Sequence, residues 1–243
     1  MITPQMKIGS IFHTRLGSKA VLDAKGIMLI LLFSGLAACF CLPAIAQTLP
    51  TGGTVASGDV SISQQTANSM TINQGSSSAV VNWDSFSIGQ NNSVDIHQPD
   101  TQSSILNRVT GSTTSEIHGR LTSNGQVHIV NPNGIYIGPS GTVNTAAFVA
   151  STLGISDSDF LAGRLRFKGT GNSATVENAG RVTIGKSGYA ALLGGRVRNS
   201  GIVTVPFGRI GFASGERVTL DLTGDQFLQV TIPTGGEDGD KAL

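Results

Sequence analysis

The chain has 243 residues, of which 39% are hydrophobic, 5% aromatic and 13% charged, with 32 glycines and a formal net charge of +1. So few large apolar and charged side chains argue against a compact globule with a thick core and for thin stacked strands with tight corners. With 16 Lys and Arg against 15 acidic residues, no basic patch asks for nucleic acid and no acidic tract asks for a cationic partner.

Ile27 to Leu42 form an apolar run broken only by Ser34 and Gly35, preceded by Lys7, Arg15, Lys19 and Lys25 and followed by Ala44-Ile45-Ala46. Residues 1–46 therefore read as a signal peptide that hands the chain to the Sec machinery and is cut between Ala46 and Gln47. The run is short for a spanning helix, and nothing later could serve as one, so no stable membrane span is expected. Leu36-Ala37-Ala38-Cys39 resembles a lipoprotein box, which would anchor the chain through Cys39. The apolar run continues past it to the better placed Ala44-Ile45-Ala46, which favours cleavage. Both cysteines, Cys39 and Cys41, lie in this leader. The exported chain then has none, as suits a chain that must thread a pore unfolded. After cleavage 12 basic residues face 14 acidic ones, a net charge of about −2.

Residues 47–58 are a short lead rich in Gly and Thr. From 59 to 232 short strands with period-two alternation recur. Val60 and Ile62, Met70 and Ile72, Val94 and Ile96, Val127 and Ile129, and Ile135 and Ile137 all alternate. Asn124-Gly125 is a hairpin signal, and a local hairpin is expected there. Ile155 to Gly163 carries a weak helix signal, with Ser156 as N-cap and Asp157 and Asp159 in the first turn. Leu165 and Phe167 then face one way, and Arg164, Arg166 and Lys168 the other. Val218, Leu220 and Leu222, then Leu228, Val230 and Ile232, close the series. Residues 233–243 are a polar Gly/Asp-rich tail.

One near-repeat organises the second half. Val176-Glu177-Asn178-Ala179-Gly180-Arg181-Val182-Thr183-Ile184 returns, 21 positions on, as Val197-Arg198-Asn199-Ser200-Gly201-Ile202-Val203-Thr204-Val205. A fixed period of about 20 residues filled with alternating strands is the mark of a solenoid. The expected fold is all-β, a parallel β-helix, with Asn178 over Asn199 as an amide ladder and Gly180 over Gly201 beside it. Each end of such a stack exposes unpaired backbone groups. The less regular segment 59–110, with Trp83, is the candidate N-terminal cap.

The non-repetitive segments carry a resemblance. Trp83-Asp84-Ser85-Phe86-Ser87-Ile88-Gly89 is followed by Asn107-Arg108-Val109, Ile117-His118-Gly119-Arg120-Leu121, Asn124-Gly125 and Asn131-Pro132-Asn133-Gly134. This order resembles the N-terminal secretion domain of the filamentous haemagglutinin family, the exoproteins of two-partner secretion. The resemblance implies a right-handed single-stranded β-helix with an N-terminal cap. It implies a partner, an outer-membrane β-barrel transporter with POTRA domains, and release from a Gram-negative periplasm to the medium or cell surface. It also implies a longer parent, an adhesin, haemolysin or contact-dependent toxin with a host-cell surface ligand, of which this chain is a truncated piece. The second family motif, Asn-Pro-Asn-Leu, is not found.

The turn chemistry of Asn131-Pro132-Asn133-Gly134 stands apart from the family. Pro132 fixes φ and pushes Asn131 to extended backbone, Gly134 permits positive φ, and Asn133 tolerates left-handed geometry. The tetrapeptide reads as a rigid turn whose role is to shape the domain, with direct transporter contact as the alternative. Asn107 is expected inside and hydrogen-bonded, with Arg108 outside as a solvated or salt-bridged residue. Catalytic residues, metal ligands and cofactors are not expected, because the acids are scattered and His97, His118 and His128 lack ligand spacing. A stand-alone adhesin is the rival reading, and a polysaccharide-acting β-helix enzyme a more distant one. The last turn is expected to be an open edge built for continuation.

Overall fold

The computed structural model describes residues 48–171, 173–224 and 226–231. The leader, the expected cleavage residues Ala44, Ala46 and Gln47, and the tail 233–243 lie outside the described residues.

Two cap strands come first, β1 (Thr54–Ser57) and β2 (Val60–Thr66). The first turn consists of β3 (Ser69–Gln74) and β4 (Ser78–Trp83), and the second of β5 (Ser93–His97) and β6 (Ser104–Val109). Four three-strand turns follow. They are β7 (Ser115–Ile117), β8 (Arg120–Ser123) and β9 (Gln126–Val130), then β10 (Ile135–Ile137), β11 (Thr142–Thr145) and β12 (Ala147–Ser151). An excursion holds α1 (Asp157–Leu161) and β13 (Leu165–Lys168). The last two turns are β14 (Thr175–Asn178), β15 (Arg181–Ile184) and β16 (Tyr189–Gly194), then β17 (Arg196–Asn199), β18 (Ile202–Thr204) and β19 (Arg209–Ser214). β20 (Arg217–Leu220) and β21 (Leu228–Val230) leave the stack.

The turns form a parallel β-helix. A first sheet runs β4-β6-β9-β12-β16-β19, a second β3-β5-β8-β11-β15-β18, and a third β7-β10-β14-β17, all pairing in parallel. The 21-residue repeat is one turn, since Val176 pairs with Val197 and Arg181 with Ile202. That spacing belongs to the later turns. Stacked partners lie 24 residues apart at Gln74 and Gln98 and 27 apart at Asp95 and Thr122. The early turns have two strands, and irregular segments replace the third.

Two cap strands close the N-terminal end. β1 runs antiparallel to β4 and β2 antiparallel to β3, so neither parallel sheet begins on a bare edge. The cap is thus shorter than 59–110, and it begins within the segment read as a lead. Trp83 lies in the first turn, where its ring is the floor on which the cap rests. A Cβ at Gly53 would come within 2.7 Å of that ring.

The interior core contains Ile72, Ile96, Ile105, Leu121, Val127, Ile135 and Val182, stacked turn over turn. A second core lies outside the first sheet. There α1 and an antiparallel flap sheet of β13, β20 and β21 cover Leu106, Val149, Ala191 and Leu193 with Phe160, Leu165, Phe167, Val218 and Leu220. Burial on both faces explains the unbroken apolar runs of β12 and β16. It also corrects the expected role of Leu165 and Phe167, and of Val218, Leu220 and Leu228. They alternate as read, but they build the flap, because the outer face of the first sheet is itself apolar and needs a cover.

The corner between the third and second sheets has no space for a Cβ. At Gly180 one would lie 2.4 Å from Gly138 O, and at Gly201 2.2 Å from Gly180 O. Gly180→Ala should therefore destabilise the domain by about 1–3 kcal/mol through overpacking, read as a lower denaturant midpoint with unchanged far-ultraviolet dichroism.

Candidate functional site: the motif-bearing turns

Asn131-Pro132-Asn133-Gly134 turns the chain from β9 to β10, from the first sheet to the third. Asn131 is fully buried. Its Nδ2 donates to Thr113 O and to Ser115 Oγ, both at 2.9 Å, and its Oδ1 accepts from Asn133 N at 2.9 Å. Asn133 Nδ2 donates to Gly111 O at 2.8 Å. Gly134 takes the positive φ of 118°, whereas Asn133 keeps a negative one. Pro132 is exposed. The tetrapeptide thus bolts its own turn to the loop 111–115 of the preceding one.

Asn107 on β6 points inward and is fully buried. Its Oδ1 accepts from Trp83 Nε1 at 3.0 Å, and its Nδ2 donates to His128 O at 3.5 Å, so it ties three turns together. Phe86 meets Trp83 edge-on, with ring centroids 5.5 Å apart. Arg108 points outward, but it is not merely solvated. It pairs with Asp157 at 2.6 Å and donates to Ile155 O at 2.8 Å, clamping the start of α1 to the first sheet.

Gly119 and Gly125 are points of close approach. A Cβ on Gly119 would lie 2.2 Å from Gly89 O, and one on Gly125 2.8 Å from Ser103 O. Asn124-Gly125 makes no hairpin. β8 and β9 lie in different sheets, and Asn124 grips the turn below, accepting from Gln98 N at 2.8 Å and donating to Gln98 O at 2.7 Å. Asn178 donates to Asn199 Oδ1 at 2.7 Å, and its Oδ1 accepts from Gly180 N at 3.1 Å. Sequence reasoning missed a sister ladder in the early turns, where Gln98 Nε2 donates to Gln74 Oε1 at 3.1 Å. Its signal is the matched Gln at the end of each strand, hidden by the longer early period.

The profile of the TPS secretion domain matches residues 46–240. The chain belongs to the TPS secretion domain family. A heme/hemopexin-binding protein of Haemophilus influenzae is 33% identical over 203 residues, covering 78% of this chain and 21% of the relative. Another protein of that name and organism is 44% identical over 95 residues, covering 39% and 10%. The solved HMW1 secretion domain from Haemophilus influenzae is 36% identical with a TM-score of 0.67, covering 76% of this chain and 48% of that one. This chain spans about a fifth of the length of the first relative. It carries the secretion domain of a two-partner secretion exoprotein, and an outer-membrane transporter is the partner that such a domain implies. Exoproteins of this kind are secreted by Gram-negative bacteria, and the family is one of secretion domains, not of enzymes.

The ionisable groups of the secretion domain serve its architecture. Asp100 is held below the usual carboxylate range by Ser103 and Gln102, Glu216 by Ser173 and Gly171, and Asp159 mainly by Arg164. Among the described residues no group of three or more His, Cys, Asp and Glu is placed to hold a metal ion, and no helix is long and apolar enough to cross a membrane. His128 is buried in the outer core, edge-on to Phe160, with the Tyr189 hydroxyl 3.3 Å from its Nε2. Burial pushes its pKa down to about 4, against a weak upward pull from the Ile105 carbonyl.

Asn131→Ala should cost about 2–3 kcal/mol, because it strands buried polar partners. Pro132→Ala should cost under about 1 kcal/mol, since that side chain is exposed. Chemical denaturation of the two variants checks the difference. The His128 imidazole binds its proton near pH 6.5 in the unfolded chain and only near pH 4 in the folded one. Folded stability is therefore full above about pH 6.5 and falls as the pH drops toward 4, by up to about 3 kcal/mol. Thermal unfolding between pH 7 and 4 should show the decline, and His128→Leu should flatten it.

Proposed function

We propose that this domain is the address by which an outer-membrane transporter, through its POTRA domains, selects the exoprotein after Sec export and removal of residues 1–46. The chain is read unfolded, and it folds outside the cell into the capped β-helix on which the rest of the parent stacks. The observation that carries this reading is the burial of Asn131 and Asn107, the polar centres of the two family motifs. A partner facing the folded domain could not touch either side chain, so contact with them belongs to the stage before folding. Short strands rich in Ser, Thr and Asn suit addition to the edge of a POTRA sheet at that stage. After folding the same residues bolt one turn to the next.

The last turn supports continuation. Ile210 and Phe212 pair with the interior residues Ala190 and Leu192, yet they are 46% and 44% exposed. A further turn of a longer parent would cover them. That parent is proposed to be a haemagglutinin- or haemolysin-type surface protein with a host ligand. The names of the heme/hemopexin-binding relatives fit such a role without assigning it here.

Secretion of residues 1–243 from a Gram-negative host, with and without a cognate transporter, tests the address role. Product in the medium should depend on the transporter and begin at Gln47. The unfolded chain should bind isolated POTRA domains and the folded domain should not. Binding by the folded form alone would overturn the strand-addition picture, and a lipid on Cys39 would replace the soluble product with an anchored one.

A further inference from the structure

Both non-glycine residues with positive φ among the described residues, Ser187 at 62° and Phe207 at 55°, line one cleft of about 520 Å³ on the flank of the last two turns. Each is the third residue of a four-residue turn between the second and first sheets. Gly188 N donates to Gly185 O at 3.1 Å, and Gly208 N to Val205 O at 3.3 Å. That position selects Gly or Asn, so a bulky aromatic there is an outlier. Burial does not compensate for the strain, because Phe207 is 87% exposed. A residue that breaks a local rule with no structural return points to function.

The rest of the cleft sets donor side chains among glycines, Ala146, Ala147 and Leu222. Lys186 Nζ lies 5.4 Å from the Phe207 ring centroid, over one face. Among the described residues it forms no ion pair. Arg209 lies with its guanidinium over the Phe227 ring, 6.0 Å from the centroid, beside the Asp221 carboxylate, and its Nη1 donates to Gly224 O at 3.2 Å, Asp221 O at 3.4 Å and Leu222 O at 3.5 Å. Its other nitrogens have no hydrogen-bond partner among the described residues. The Tyr189 hydroxyl donates to Gln126 Oε1 at 2.9 Å, which leaves the Nε2 of that amide uncommitted. Gln102 adds a second amide, and among the described residues no carboxylate lines the cleft.

We propose that this cleft binds a carboxylated sugar. The apolar face of a pyranose ring stacks on the open face of Phe207, the carboxylate meets Lys186 and Arg209, and the amides take hydroxyls. A small inorganic anion would leave the aromatic unused, and a neutral sugar would leave two cations unused. The inference is independent of transporter recognition.

Calorimetric titration of the secreted, folded chain with sialyllactose, digalacturonate and lactose tests it. One acidic sugar should bind with a Kd of ~1 mM or tighter, with lactose at least about tenfold weaker. Binding of the sialyl sugar marks a host glycan as the source, and binding of the uronate marks an acidic polysaccharide. Phe207→Asn should raise the unfolding midpoint by roughly 2–4 °C and weaken the acidic sugar about tenfold or more. Lys186→Gln should bring its affinity down to that of lactose with no change in midpoint. Binding of neither acidic sugar, equal binding of lactose, or unchanged affinity in Phe207→Asn would overturn the proposal.

Discussion

Every turn of this domain depends on its neighbours for backbone hydrogen bonds. In a parallel β-helix no turn can pair within itself, so each N–H and C=O in a strand must find the turn above or below. That single requirement governs the two ends, the corners and the placement of polar side chains. At the N-terminal end β1 and β2 reverse direction and pair antiparallel with the first turn. At the corners the chain passes so close to the previous turn that only glycine fits. Inside, the amides of Gln74, Asn107 and Asn131 donate to backbone carbonyls of neighbouring turns, and that of Asn178 accepts from the Gly180 N–H.

The same stacking makes one side of the molecule costly to expose. The first sheet is apolar on both faces, and the flap with α1 exists to cover the outer one. The parts of that cover come from distant places in the chain. α1 and β13 separate the fourth and fifth turns, and β20 and β21 follow the last. Arg108 reaches out from the second turn to pin α1, so the family residue beside Asn107 joins the two cores. His128 and Tyr189 lie in the outer core, and for this reason the outer core carries the acid sensitivity.

A secretion domain has two lives, and the residues answer to both. Low charge and scattered hydroxyls suit the unfolded transit proposed for the chain. Matched amides and corner glycines give a unique register once stacking begins. Asn107 and Asn131 are buried in the folded form, where their geometry describes architecture; the recognition proposed for them is left to the unfolded chain.

Much of this was legible in the sequence. The Asn178 and Asn199 repeat sets one turn, the alternation in β3, β5 and β10 sets which side chains face in, and Ser156 with its two acids sets the start of α1. Buried Asn107 follows from its place between Ile105 and Val109. Other features needed the tertiary structure. Asn124-Gly125 has the local chemistry of a hairpin, yet its neighbours belong to different sheets, because the strand that β8 seeks lies a whole turn away. Val218 and Leu220 alternate like a rung strand, and only the apolar outer face of the first sheet decides that they turn back over it. Phe207 is unremarkable in a list of residues. Its strained, exposed ring beside Lys186 and Arg209 arises from stacking two corners 20 residues apart in the chain. Local periodicity determines what each strand offers to a neighbour, and long-range pairing alone decides which neighbour receives it.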